Sequence, residues 1–314
     1  MKPFDAAVKL AAPDIQNAPP PRIPLAWRIV LHWVVRLLIT WFGFGLMTAA
    51  TVAGLQAISV DITPLVSTGL LAVCALLTVG AVTRLLERRH LAAIGLGVRR
   101  FVIDWLQGAG VGAAYLCACV GLLAVLGGYR ITGVAVAGQA LVGGLVLHVL
   151  VGVFEEMLFR GILFRFLEEG FGSWIALTIT ALFFGWSHLN NPHATPWSAI
   201  AIALEAGVLI GAVYMATRSL WFAMGLHTAW NFLQGTIFGV AVSGNGAPTE
   251  SLFRPLIEGN PWLTGGAFGI EASVITVVVG LGVGSFCLVY AVRQQRIMRG
   301  LWWRDGINVL RTVA

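Results

Sequence analysis

The 314-residue chain is short of charge: its 20 basic and 14 acidic residues make up 11% of the total, where a soluble domain carries about 25%. So few ionised side chains cannot give a water-facing surface to a chain that is 58% hydrophobic. A soluble globular fold is excluded, and so is disorder, which needs low hydrophobicity and high charge. Cysteine is scarce too. Cys74, Cys117, Cys119 and Cys287 all lie in apolar runs with no C-x-x-C pair, which excludes a disulfide scaffold and reads as small packing residues. A cleavable signal peptide is not expected, because residues 1–26 are polar and proline-rich and the first apolar run is too long for an h-region. No internal repeat is visible.

Apolar length is what the chain has in abundance. Runs near the ~20 residues needed to cross a bilayer core fall at 29–57, 64–86, 105–127, 134–159, 173–189, 196–217, 220–241 and 268–292. The 38 glycines suit close helix packing in lipid and the 12 tryptophans suit interfacial anchoring. The expectation is an all-α polytopic membrane protein of about eight transmembrane helices. Residues 1–28 form a cytoplasmic segment, 29–292 the transmembrane domain, and 293–314 a basic interfacial tail anchored by Trp302 and Trp303. With eight crossings, seventeen lysines and arginines fall on the side of the termini, against Arg130 and Arg254 on the other. This bias predicts cytoplasmic termini. The net charge of +6 is then topology signal and lipid contact, with no nucleic-acid partner implied. The alanine- and arginine-rich composition points to a bacterial plasma membrane.

Ionisable side chains at membrane depth are costly and are functional candidates by default. The densest set is Phe154-Glu155-Glu156-Met-Leu-Phe-Arg160-Gly161. Arg160 lies at i+4 from Glu156, so those two pair on one helix face while Glu155, about 100° around, faces elsewhere. A buried ion network that only locks helices together is the competing reading. The second set is Phe184-Gly-Trp-Ser-His188. Positions 155 and 188 are equidistant from Gly170-Phe-Gly-Ser173, a strong turn signal, so an antiparallel hairpin brings Glu155 and His188 to one depth, about 24 Å from the turn. The third is His227-Thr-Ala-Trp-Asn231, whose i, i+4 spacing puts both side chains on one face. Two histidines, a carboxylate and an amide from three helices thus converge on one cavity, taken from sequence to open to the cytoplasm. A carboxylate and a histidine there can hold and deprotonate a water, and nearby donors can stabilise an oxyanion.

Glu-Glu-x-x-x-Arg at 155–160, Phe-x-x-x-His at 184–188 and His-x-x-x-Asn at 227–231 resemble, in this order, the motifs of the CPBP intramembrane proteases, which include the type II CAAX prenyl endopeptidase and lysostaphin-resistance relatives. The resemblance covers roughly residues 85–240. It implies a glutamate-dependent membrane endopeptidase in which Glu155 and His188 activate water and His227 and Asn231 form the oxyanion site. Glu156, Arg160 and Phe184 support them, and the substrate is a peptide or membrane protein. No cofactor is expected; a divalent metal at Glu155, His188 and His227 is the lesser alternative, since no His-Glu-x-x-His is present. A non-catalytic scaffold or immunity protein of the same fold is the competing function.

Outside these motifs, His148 shares the face of Glu155 and reads as packing or support. Glu205 lines the cavity or pairs with a neighbour, and Arg36 and Glu271 read as snorkelling residues near helix ends. The G-x-x-x-G pairs Gly108/Gly112, Gly207/Gly211 and Gly280/Gly284 read as helix contacts.

Overall fold

The computed structural model describes residues 32–135 and 138–301. The N-terminal segment and the tail tryptophans Trp302 and Trp303 lie outside the described residues. Helix starts follow local capping chemistry. Thr63 accepts from Val66 N ahead of Pro64, and Ser219 accepts from Phe222 N. Thr195 and Ser198 form a reciprocal capping box around Pro196, and Ser273 accepts from Ile275 N. Each cap satisfies amides that a helix start leaves open.

Eight helical rods result: α1 Trp33–Ala57, α2 Pro64–Leu86, α3 Val98–Val125, α4 Gly138–Phe171, α5 Ser173–Ser187, α6 Pro196–Thr217, α7 Leu220–Asn231 and α8 Val274–Arg293. Six of them, all but α5 and α7, are long and apolar enough to cross a membrane. The protein is an all-α integral membrane protein, and the eight expected runs correspond one to one with the rods. The largest departure is α4, which continues twelve residues beyond the expected end at 159. Arg160 marks that end in the sequence, but it is 2% exposed and paired within the rod. It is therefore not one of the basic residues marking the cytoplasmic side. The predicted turn is where α4 meets α5. Gly172 has φ +88°, and a Cβ there would stand 2.9 Å from both Met298 O and Gly300 N, so this position requires glycine twice over.

The connections between α3 and α4 and between α7 and α8 each contribute a strand. β1 (Tyr129–Val134) and β2 (Phe253–Ile257) pair antiparallel, with Tyr129 opposite Ile257. Burial pushes the Tyr129 phenol up to about 12, and its hydroxyl donates to Phe238 O at 2.8 Å, tying the sheet to the end of α7.

Glycines bring α3 against α7. A Cβ on Gly108 would lie 2.0 Å from Phe222 O, one on Gly112 2.4 Å from Leu226 O, and one on Gly225 2.2 Å from Trp105 O. The backbones touch, which places α7 at the centre of the bundle with α3 on one side and α4 on the other.

Arg36 and Glu271 are not snorkelling. Arg36 is 4% exposed and pairs with Glu87 at 3.3 Å and with Glu169. Glu87 also binds Arg165 at 2.7 Å, and Glu168 binds Arg218 at 2.6 Å. Arg218 in turn donates to Arg296 O in the tail. These pairs close the end of the bundle where α1 begins and α8 ends. A buried cation needs its partner within reach, and partners from other helices are invisible to a reading of one helix at a time.

Candidate active site

The motif residues are positioned where the helices lose regular α geometry. Glu155 and Glu156 end the α-helical part of α4, and a π-helical segment, Met157–Phe164, follows at once. His188 caps α5, and another π segment, Phe232–Ile237, follows Asn231. A third, Ala203–Val208, lies within α6. Such segments are rare and concentrate at functional sites, because the shifted register re-aims side chains and frees carbonyls.

Glu156 lies behind the cavity wall and is fully buried. Its Oε1 accepts from Arg160 Nη1 at 2.8 Å, the pair expected from spacing, and from His227 Nδ1 at 2.8 Å. Arg160 Nη2 reaches the carbonyls of Ala206 and Gly207, at 3.3 and 3.2 Å, in the π segment of α6. Its guanidinium also stands 5.3 Å from the Phe184 ring centre. One cation thus ties α4 to α5 and α6 while holding the carboxylate that orients His227. Close contact of α4 with α7 at Gly152, where a Cβ would be 2.7 Å from Thr228 Oγ1, brings Glu156 within reach of His227.

The cavity, about 840 Å³, is lined by Glu155, His188, His227 and Asn231 together with Phe184 and His148. All four residues expected to act on substrate therefore meet in one space. The His227 Nε2 lies 3.8 Å from Glu155 Oε2. The His188 Nδ1 lies 2.7 Å from Phe184 O. A carbonyl only accepts, so Nδ1 carries the hydrogen and Nε2 is left as the basic nitrogen. Phe184 orients both rings, with its centre 4.7 Å from that of His188 and 6.2 Å from that of His227.

Residues 137–233 match the family model for type II CAAX prenyl endopeptidases, Rce1-like. That segment carries all three motifs and runs from the start of α4 to just past Asn231. It agrees with the resemblance drawn from the motifs, and it is narrower than the 85–240 they suggest. No curated protein matches the chain.

As to a metal, no group of three His, Cys, Asp or Glu side chains among the described residues is arranged to hold one.

One pair of sequence expectations cannot both stand. The termini and the cavity mouth were expected on one side, but the cavity lining extends toward the end of the bundle away from the start of α1 and the end of α8. Tail residue Met298 accepts from Ser173 N at the start of α5, whereas the cavity lining includes Asn191 beyond its other end, with Pro64, Ala140 and Pro248. The length of α5, roughly 22 Å, separates the two. Counting residues from the turn gave the right depth for Glu155 and His188, but it did not say toward which end the space between helices widens.

Further cavity-wall residues, Tyr115 on α3 and Glu271 before α8, were missed from sequence. A tyrosine in an apolar run and a glutamate near a helix end carry no signal of their own.

Proposed function

We propose that this protein is an intramembrane endopeptidase that cleaves peptide bonds with a water activated by Glu155 and His188. The observation that carries this is the meeting of Glu155, His188, His227 and Asn231, from three helices, in one cavity. With Nδ1 of His188 engaged by Phe184 O, Nε2 is the ring nitrogen left to act as base, and the Glu155 carboxylate lines the same space, so a water held between them can lose its proton as it attacks the scissile carbonyl. The oxyanion that forms is met by His227 and Asn231. His227 donates through Nδ1 to Glu156. To donate through Nε2 as well it acts as an imidazolium, whose charge Glu156 offsets. Glu155 or His188 then returns the proton to the leaving amine.

The arginine bias at the end where α1 begins and α8 ends supports cytoplasmic termini. The mouth then faces the opposite, extracytoplasmic side, and the substrate is a peptide or membrane-protein segment reaching the cavity from there.

Purified protein in liposomes, incubated with membrane proteins and compared with Glu155→Ala and His188→Ala, tests this reading. New cleavage products with the native protein and none with either variant are expected. Equal products with all three would refute the site, and no products at all would favour the non-catalytic scaffold.

A further inference from the structure

The hydrolytic scheme leaves one wall of the cavity unused. Four carboxylates line the cavity, Glu155, Glu205, Glu250 and Glu271, and among the described residues no lysine or arginine does. Glu271 is well supplied with donors, from Gln234 Nε2 at 3.0 Å and from Ser243 N and Oγ at 2.5 and 2.9 Å. Glu205 is not. It is 1% exposed, its Oε2 accepts from the Tyr115 hydroxyl at 3.0 Å, and its Oε1 has no hydrogen-bond partner among the described residues. Even the Tyr115 hydrogen is contested. The same hydroxyl lies 2.8 Å from Thr276 O, a carbonyl that only accepts. No salt bridge reaches Glu205 among the described residues.

Burying a carboxylate with so little compensation is unfavourable unless a cation or further donors arrive. The backbone also marks the position. Glu205 sits in the π segment Ala203–Val208, and segments of the same kind directly follow Glu156 and Asn231. Space is kept for the Tyr115–Glu205 pair by Gly280, where a Cβ would stand 2.4 Å from the Tyr115 hydroxyl and 3.2 Å from Glu205 Cα.

We propose that Glu205, held by Tyr115, receives a basic side chain of the substrate, so that the enzyme selects peptides with lysine or arginine beside the scissile bond. This rests on the endopeptidase reading above. An ammonium or guanidinium entering the cavity brings donors and positive charge to a wall where the buried Glu205 carboxyl has one oxygen without a partner among the described residues. Glu250 and Glu271 favour the same sign of charge along the way in.

The test uses the full-length protein in liposomes and a mixed peptide library, with cleavage sites read by mass spectrometry. A cleaved peptide containing lysine is then compared with the same peptide bearing acetyl-lysine, which keeps the length and removes the charge. The native protein is expected to favour the lysine peptide by about tenfold or more in kcat/KM, mainly through KM. In Glu205→Gln, which keeps the shape, that ratio falls to near one, with thermal unfolding checking that the variant is folded. The ratio in the native protein needs no variant and decides the point even where Glu205→Gln does not fold. Equal cleavage of the two peptides by the native protein, or an undiminished ratio in folded Glu205→Gln, overturns the inference and leaves the endopeptidase reading intact. Failure to cleave any peptide overturns both.

Discussion

At the scale of single residues, one oxygen organises the site. Glu156 Oε1 accepts from both Arg160 and His227, so one buried carboxylate serves structure and chemistry together. Removing one partner of a buried pair strands the other charge and costs about 3–5 kcal/mol. Arg160→Met is therefore expected to lower the thermal or denaturant midpoint sharply. Adding Glu156→Gln to it restores much of that stability while cleavage stays low, because His227 has lost its carboxylate. Recovery of cleavage in the double variant would show that Glu156 matters only as a counter-ion. The Glu156–Arg160 pair was legible in the sequence because i, i+4 spacing fixes it. The surroundings of Arg36, Glu205 and Glu271 were not, since their partners lie 28 to 133 residues away through contacts such as Glu271–Ser243 and Arg36–Glu169.

At the scale of elements, apolar length gave the eight rods, and the spacing of Gly108 and Gly112 marked a contact face on α3 without naming α7 as its partner. Gly112→Val forces a branched side chain into a space where a Cβ alone would come 2.4 Å from Leu226 O. It is expected to cost about 1–3 kcal/mol or more and to displace the segment of α7 that carries His227. Gly110→Val, where nothing lies within 4 Å of the Cβ, is the matched control and leaves the unfolding midpoint nearly unchanged. Equal effects of the two would show that the α3–α7 contact is not tight. Three of the four π segments among the described residues border the cavity, and none was legible. Each shifts the helical register by one residue, which is less than the uncertainty of any boundary read from hydropathy. The β1–β2 sheet was hidden for another reason: its strands are short, and β2 contains Pro255, which argues against a strand in sequence.

At the scale of the whole molecule, the protein has two unlike ends: one closed by arginine–carboxylate pairs, the other open to a cavity that carries carboxylates and no lysine or arginine among the described residues. If the arginine-rich end is cytoplasmic, a membrane-impermeant thiol reagent applied to intact cells labels Ala247→Cys at the mouth. It labels Arg99→Cys only after permeabilisation. The reverse pattern would place the mouth in the cytoplasm. Chain topology and charge bias were both readable from the sequence; the shape of the space between the helices was not, because it depends on side chains from seven helices at once. The central claim is that Glu155 activates water, and the measurement closest to it is kcat/KM for Glu155→Gln, a change that preserves shape and removes the base. A loss of about 10²–10⁴-fold with an unchanged unfolding midpoint is predicted, and wild-type turnover by a folded Glu155→Gln protein would contradict it.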